Sequence, residues 1–256
     1  IYKKGVARLR DCNPADITDE GVVLESMEQK LEGGFSPLDF TETDTKATVK
    51  LPSMLNSGDA VTLKVKWHVK IATESHHRGG KYGNGSWFVP YWYPQVAVYD
   101  DLYGWDLIEH SANEEFLQEF ADYDVTIDLG SNMLCWATGT LQNPAEIYSA
   151  QVIASLNKAK QSSTLVPIVS AQGISKALKR SSNKWHYKAS GVNDFVFGCS
   201  NEMKWSAMSL ALQPGKPRVL AGAVFKPDGF ASVAGWAKST IEYLSKQRPA
   251  YIYPYP

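Results

Sequence analysis

Apolar and polar residues alternate most regularly over Ala60–Ile71, where lysine, threonine or histidine separates the apolar side chains. Such period-two alternation is typical of an antiparallel strand with one buried and one solvated face. Residues Tyr123–Leu129 alternate in the same way. A turn at residues 130–132 and the apolar Met133–Thr138 follow, so the pattern predicts a hairpin there.

Short strands and one helix are predicted between the hairpin and residue 225. The strands are predicted at Leu165–Val169, Lys184–Ala189, Asp194–Cys199, Trp205–Ala211 and Val219–Phe225. The helix begins with Asn143 as cap and Pro144 as first residue, and its apolar residues follow at helical spacing. It should end near Lys160, where basic residues suit the helix dipole.

A second helix is predicted near the end of the chain, with an apolar stripe from Val233 to Leu244 and a stop at Pro249. Because the spacing changes here after a long run of strands, we place a domain boundary near Lys226. The sequence thus predicts a mainly β fold: an antiparallel β-sandwich with one internal helix over residues 1–226, then the start of another domain over 227–256. The stripe would fold back on the sandwich or support self-association through the 230–246 helix.

The stretch Trp87–Trp105, WFVPYWYPQVAVYDDLYGW, is dense in aromatic residues and carries two prolines and an acidic pair. Its middle can run as a short strand, while the prolines exclude a central ladder position at those points. Aromatic residues beside prolines and carboxylates are typical of a packed corner of a β domain. They are also typical of the wall of a binding cleft.

Composition narrows the class of protein. Apolar residues make up 44% of the chain and charged residues 21%, as in ordinary globular proteins. A net charge of -1 argues against a nucleic-acid partner, and no apolar run is long enough for a transmembrane segment. Cys12, Cys135 and Cys199 are far apart and form no C-x-x-C, which predicts buried thiols. No signal peptide is recognisable after Ile1, so the sequence does not indicate the cellular compartment.

Four segments resemble, in order, the aminopeptidase-N-like zinc metallopeptidases, in particular their bacterial branch. The pattern W-Y-P-x-x-A-V-Y-D-D-x-x-G-W resembles the family signature that reads like F-P-C-F-D-E-P in better-known members. YDVTIDLGSNMLCWATGT is similar to the strand pair that follows it. KWHYKASGVNDFVFGCS is similar to the segment that closes the N-terminal β domain. EYLSKQRPAYIYPYP is similar to the helix and Tyr-Pro-rich turn that open the catalytic domain.

The resemblance implies a saddle-like N-terminal domain without its first strands, followed in the full-length parent by a zinc-binding catalytic domain. That missing domain and the peptide substrate would be its partners, and an exported or periplasmic location in a bacterium would suit it. The signature residues with an implied structural role are Trp92, Tyr93, Pro94, Tyr99, Asp100 and Asp101.

Relatives also have a β-domain segment, shortly before the signature, that reaches into the cleft. Counting back from the signature places its equivalent at Gly85, Ser86 and Trp87. Relatives often have a Gln or Glu there, and this chain has none. Gly83 and Gly85 would let the backbone approach a ligand closely. Trp87 would form either an apolar floor of the pocket or part of the core.

The catalytic motif of the family is absent from this chain. No H-E-x-x-H occurs, and the histidines, at positions 68, 76, 77, 110 and 186, include no pair at i, i+4. We therefore expect no metal site, no cofactor and no catalytic residue in this chain, with zinc confined to the full-length parent. His76-His77 is a weak metal candidate, and the alternative is that both are solvated loop histidines. The alternative functions are a stand-alone β-sandwich module that binds carbohydrate or protein, and a scaffold derived from an inactive peptidase.

Overall fold

Antiparallel strands dominate the computed structural model, which describes residues 21–43, 45–74, 79–109, 117–130, 132–179, 183–226 and 230–247. The fold is mainly β with several antiparallel sheets and few helices, which confirms the predicted fold class. The chain divides into two compact units. The first contains Ile1–Lys81 and Val89–Phe120, and the second contains Tyr82–Phe88 and Ala121–Pro256.

The regular elements of the described residues are numbered in chain order. The strands are β1 (Val22–Leu31), β2 (Gly34–Pro37), β3 (Phe40–Glu42), β4 (Ala47–Val49), β5 (Leu63–Val69), β6 (Gly80–Tyr82), β7 (Ser86–Val89), β8 (Tyr99–Asp100), β9 (Gly104–Trp105), β10 (Ala121–Asp128), β11 (Leu134–Ala137), β12 (Thr140–Leu141), β13 (Val166–Val169), β14 (Lys184–Val192), β15 (Phe197–Ser200), β16 (Lys204–Leu210) and β17 (Val219–Phe225). The helices are α1 (Pro144–Ile147), α2 (Ala150–Ala159) and α3 (Val233–Leu244), with a short 3-10 helix at Ala171–Lys176.

The first unit contains the antiparallel sheet β2-β1-β5. Along β5 the side chains alternate between half-buried and exposed, as the period-two pattern predicts. β1 is not predicted from the sequence, because a bulge between Leu24 and Ser26 interrupts the alternation of its apolar and polar residues. Leu24 lies opposite Trp67, and Met27 lies opposite Val65. The bulge thus places two apolar residues three positions apart on one face.

Three further sheets have strand orders β10-β14-β12, β11-β15-β7-β6 and β13-β16-β17, and most of their residues belong to the second unit. The predicted hairpin across residues 123–138 is wrong, because β10 pairs with β14 and β11 pairs with β15. Ile127 of β10 lies opposite Trp185, and Val125 lies opposite Tyr187. Cross-strand aromatic and β-branched pairs of this kind stabilise a sheet, and β11 offers β10 no such set.

Four aromatic side chains connect the three sheets of the second unit. The rings of Trp136 and Trp205 lie 5.8 Å apart, those of Trp205 and Tyr148 5.9 Å, and those of Tyr148 and Trp185 5.4 Å. They come from β11, β16, the end of α1 and β14. Tyr148 and Trp185 are almost fully buried, at 3% and 1% exposure. This aromatic cluster is the centre of the core of the unit.

The predicted helix from Asn143 to Lys160 is two helices, because Tyr148 interrupts it. Its backbone is extended, at φ -84° and ψ 147°, and it forms a β-bridge with Leu178. Burial of the ring in the aromatic cluster accounts for this extended residue. Ser149 then caps α2 by accepting a hydrogen bond from the Val152 amide at 3.5 Å.

Helix α3 packs on β16 and β17 of its own unit. Ala237 and Ile241 contact the buried Leu210 and Val219, so the predicted stripe folds back on the sheet. Its other face leaves Trp236 64% and Tyr243 63% exposed. Self-association through this helix stays a prediction, and so does the domain boundary near residue 226. The Tyr-Pro turn at residues 249–256 lies outside the described residues.

The aromatic cluster generates a first prediction. Trp185→Ala removes a fully buried ring and should lower the free energy of unfolding by about 3–5 kcal/mol. Urea unfolding followed by circular dichroism measures the loss. Trp236→Ala is the matched control, because an exposed tryptophan should change stability by no more than about 0.5 kcal/mol. Equal losses for the two variants would contradict the central position of Trp185.

Candidate functional site

The sequence-predicted site residues are divided between the two units. Gly85, Ser86 and Trp87 belong to the second unit, whereas the signature from Trp92 to Asp101 belongs to the first. Each group has its own local geometry.

Ser86 lies in a polar cluster with Ser200, Glu202 and Lys226, which we call the serine–glutamate cluster. Ser86 is 2% exposed, and its Oγ lies 2.8 Å from Oγ of Ser200, which is also 2% exposed. Glu202 Oε1 accepts hydrogen bonds from Ser86 Oγ and from the Gly85 amide, each at 3.3 Å. A residue far along the chain thus places its carboxylate beside Gly85 and Ser86.

The direction of the hydrogen bonds in the cluster follows from the valence of each oxygen. Ser200 Oγ accepts from the amides of Glu202 and Met203, both at 3.0 Å. Its two lone pairs are then occupied, so its proton points to Ser86 Oγ. Ser86 in turn donates to Glu202. The hydroxyl groups of Ser86 and Ser200 therefore hold β7 against the turn that follows β15.

Lys226 completes the cluster at its solvent side. Its Nζ donates to Glu202 Oε2 at 2.7 Å. This hydrogen bond, with those from the Gly85 amide and from Ser86, holds the pKa of Glu202 below its ordinary value. Glu202 is therefore an anion at neutral pH, and its charge is balanced by the lysine.

Gly83 and Gly85, which precede Ser86, leave room for the turn at residues 201–202 that packs against them. A Cβ atom on Gly85 would lie 1.9 Å from Asn201 Oδ1, and the Asn201 amide donates to the Gly85 carbonyl at 3.0 Å. Gly83 has a φ of +65°, and a Cβ atom there would lie 3.0 Å from Glu202 Oε1. Close backbone approach is thus real at both glycines, and the group that approaches is the 201–202 turn.

Trp87 points away from the cluster, because successive side chains of β7 face opposite sides. It is half-buried, so part of its surface is open to solvent. Gly85 and Ser86 hold the strand in position.

In the first unit the start of the signature is a packed corner. The Trp92 ring lies 6.1 Å from that of Trp67 and 5.0 Å from that of Tyr93. Trp67 Nε1 also donates to the Trp92 carbonyl at 2.9 Å. Tyr93 and Pro94 are half-buried in the same segment. Trp67 on β5 thus anchors the signature by both its ring and its N–H.

The acidic pair of the signature builds a tight turn. Asp100 Oδ1 accepts from the amides of Leu102 at 2.8 Å and Tyr103 at 2.7 Å, while Asp101 is exposed. This Asx turn joins β8 to β9. Tyr99 faces Trp105 across the hairpin, with ring centroids 5.1 Å apart. The strand begins only at Tyr99, so the preceding residues are irregular.

Glu109 fixes the segment that follows the hairpin, and sequence reasoning leaves this residue unassigned. Its carboxylate accepts from Thr43 Oγ1 and from the Thr45 amide, each at 2.7 Å, and pairs with Lys46 at 3.2 Å. The Thr45 hydroxyl also donates to it. These hydrogen bonds, that from the Thr45 hydroxyl first, lower the pKa of Glu109 to about 2.

Much of the apolar surface of the signature segment is exposed. We call residues 96–108 the exposed apolar segment. Its exposed apolar side chains are Val96, Tyr99, Leu102, Tyr103, Trp105, Leu107 and Ile108. Leu102 is 81% exposed, Tyr103 87% and Ile108 71%. Apolar side chains exposed in such density mark surfaces that bind another protein surface or a ligand.

Metal ligands do not converge within the described ranges, where no three His, Cys, Asp or Glu residues lie close enough to hold an ion. His68 Nδ1 lies 3.0 Å from Glu25, and His186 Nε2 lies 2.6 Å from Asp124, so both histidines are paired with carboxylates. His76, His77 and His110 lie outside the described residues. A depression of about 160 Å³ beside α2 and β13 is smaller than an ordinary ligand pocket.

Comparisons with protein-family models, with curated proteins and with solved structures found no match to this chain. Among the described residues, no helix is both long and apolar enough to span a bilayer. The function must therefore be argued from the residues and their geometry.

The serine–glutamate cluster generates a second prediction. Ser200→Ala leaves two backbone amides without their acceptor and should lower the free energy of unfolding by about 2–3 kcal/mol. Ser86→Ala is the matched variant. It removes one donor, leaves those amides satisfied and should cost about 1 kcal/mol. Urea unfolding of both variants gives the comparison, and a larger loss for Ser86→Ala would contradict the assigned hydrogen-bond directions.

Glu109 generates a third prediction, on pH. Its folded-state pKa lies below the unfolded value, so its stabilising effect is complete above the unfolded pKa of about 4.3. The effect is lost as the pH falls toward 2. The stability difference between the wild type and Glu109→Gln, measured by urea unfolding, should therefore shrink from pH 6 to pH 3. Thr45→Val keeps the carboxylate but removes a hydroxyl donor, and it should weaken the same pH dependence. A difference that is constant with pH would reject this account.

Proposed function

We propose that this chain is the non-catalytic N-terminal β domain of a zinc-dependent aminopeptidase and forms one wall of its peptide cleft. The zinc ion and the catalytic groups belong to a domain that follows in the full-length protein. The four ordered sequence resemblances motivate this proposal. The mainly β fold and the position of α3 after the last sheet are compatible with it.

The exposed apolar segment is the observation that carries the proposal. A hairpin that exposes Leu102, Tyr103 and Trp105, followed by the exposed Ile108, is costly in water unless another surface covers it. Hydrogen bonds accepted by the carboxylates of Asp100 and Glu109 hold this segment in a defined conformation. A rigid apolar surface of this kind suits permanent contact with another domain.

Within the proposed cleft, Trp87 is the residue that contacts the substrate. The serine–glutamate cluster fixes the strand on one side, and Trp87 projects from the other. An indole there would provide an apolar surface for the first side chain of the peptide. Catalysis itself is assigned to no residue of this chain.

A stand-alone binding module is the second candidate, and the exposed Tyr99, Tyr103 and Trp105 favour it. Aromatic rings of this type can stack on sugars. The exposed aliphatic side chains of Val96, Leu102 and Ile108 favour a protein surface instead, because sugars offer few apolar groups to them. We therefore rank the aminopeptidase domain first.

The sequence encoded beyond Pro256 gives the first test. The proposal requires H-E-x-x-H and a downstream glutamate there. If H-E-x-x-H is absent there, the aminopeptidase proposal is rejected, and a binding module or a scaffold is favoured. The chain alone should bind zinc no better than surface histidines do and should not cleave aminoacyl substrates. Stoichiometric zinc that remains bound to this chain after dialysis would contradict the assignment of zinc binding to the following domain.

A fourth prediction concerns specificity in the full-length protein. Trp87→Ala should change the ratio of kcat/KM for leucyl and alanyl substrates by about tenfold, with unchanged zinc content. Phe88→Ala is the matched control, because Phe88 is the neighbouring residue on the opposite face of β7. It should leave the ratio unchanged. If Trp87→Ala lowers only the stability, Trp87 belongs to the core and the assignment to the cleft is wrong.

A further inference from the structure

Cys135 and Cys199 lie directly opposite each other in the antiparallel pair of β11 and β15. They are 64 positions apart in the sequence, and no motif connects them. Both are free thiols and almost fully buried, Cys135 at 0% and Cys199 at 7% exposure. A cross-strand pair of this kind is a candidate for a disulfide if the local pairing has the right geometry.

The hydrogen bonds of the sheet show which type of pair this is. The Thr138 amide donates to the Val196 carbonyl at 3.0 Å. Hydrogen-bonded pairs recur every two residues along an antiparallel ladder, so the next one is Trp136 with Gly198. The two cysteines therefore occupy the non-hydrogen-bonded position between neighbouring bonded pairs.

Two further contacts agree with this position. The Cys135 carbonyl points away from β15 and accepts a hydrogen bond from the Tyr187 hydroxyl at 2.8 Å. On the other strand, the Asn201 amide donates to Gly85, on the side of β7. By the same two-residue period, the backbone of Cys199 also faces β7. Neither cysteine thus directs its backbone polar groups at the other.

The non-hydrogen-bonded position is the one that brings two side chains closest. Cα atoms there are about 4.5 Å apart, whereas hydrogen-bonded pairs are about 5.5 Å apart. A disulfide needs Cα atoms about 4.4–6.8 Å apart. The bond can therefore form without moving either strand from its register.

We propose that Cys135 and Cys199 form a cross-strand disulfide when the chain folds in an oxidising compartment. The two thiols lose one hydrogen each, a sulfur–sulfur bond forms, and a small-molecule or protein disulfide is reduced to two thiols. The inference is independent of the proposed function, because it rests on the pairing of β11 with β15. The structure confirms the predicted burial of both thiols, and the proposal adds that they pair when an oxidant is present.

The burial of the thiols places this reaction during folding. Burial raises the pKa of Cys199 to about 11 and that of Cys135 further. Thiolates attack disulfides and thiols do not, so the folded pair reacts slowly. While the strands are still pairing, the thiols are open to exchange. Once formed, the bond is shielded from reductants by the same burial.

A fifth prediction tests the disulfide in the Cys12→Ser variant, which leaves only this pair. The reduced, unfolded protein is refolded with either glutathione disulfide or dithiothreitol, then denatured, alkylated and weighed. After oxidative refolding we expect a monomer that has lost two hydrogens and takes up no alkylating agent. Its Tm should exceed that of the reduced form by roughly 5–10 °C. Peptide mapping should connect the segments that contain Cys135 and Cys199.

Cys12→Ser combined with Cys199→Ala is the matched control and should show no Tm difference between the two refolding conditions. Two alkylated thiols in oxidatively refolded protein with native circular dichroism would overturn the proposal. So would disulfides found only between separate chains. The thiol count of the Cys12→Ser variant decides the question even if the double variant does not fold.

Discussion

The contact of four aromatic rings is the interaction on which the second unit depends. Trp136, Trp205, Tyr148 and Trp185 come from three sheets and from the break between two helices, and no single sheet could bury them alone. Each ring removes a large apolar area from water, and the tilted and edge-on contacts add to that gain. The observed pairing of distant strands is consistent with this contact, because it places β11, β14 and β16 where the rings meet.

Strand β15 connects this core to the candidate site. Its adjacent residues Cys199 and Ser200 serve different neighbours. Cys199 lies opposite Cys135 on β11, which also carries Trp136, and Ser200 Oγ binds Ser86 and the amides of its own turn. Hydrogen bonds of the buried Ser86 and Ser200 therefore hold the candidate segment on one side, and the half-buried Trp87 projects to the other. This arrangement keeps the geometry of the segment fixed, and it restricts which residues are tolerated in place of Gly83 and Gly85.

Local patterns in the sequence predict local structure well. The alternation along β5 is interpreted correctly because its side chains alternate between half-buried and exposed. The strand at residues 219–225 is also predicted correctly. The bulge at Leu24 hides β1, since it shifts the alternation within the strand. Tyr148 interrupts a helix because its ring is buried in the aromatic cluster. The helical spacing of the sequence does not indicate this tertiary contact. The partnership of Glu202 with Ser86 spans 116 positions, and no local signal announces it.

The hydroxyl of Tyr187 also affects how this protein can associate. β11 is the first strand in its sheet order, and the outer strand of a sheet presents unpaired carbonyls that can recruit a strand from another molecule. At Cys135 that carbonyl is already occupied by the tyrosine. At this position a buried phenol of the same unit, only 4% exposed, therefore occupies the acceptor that an added strand would need.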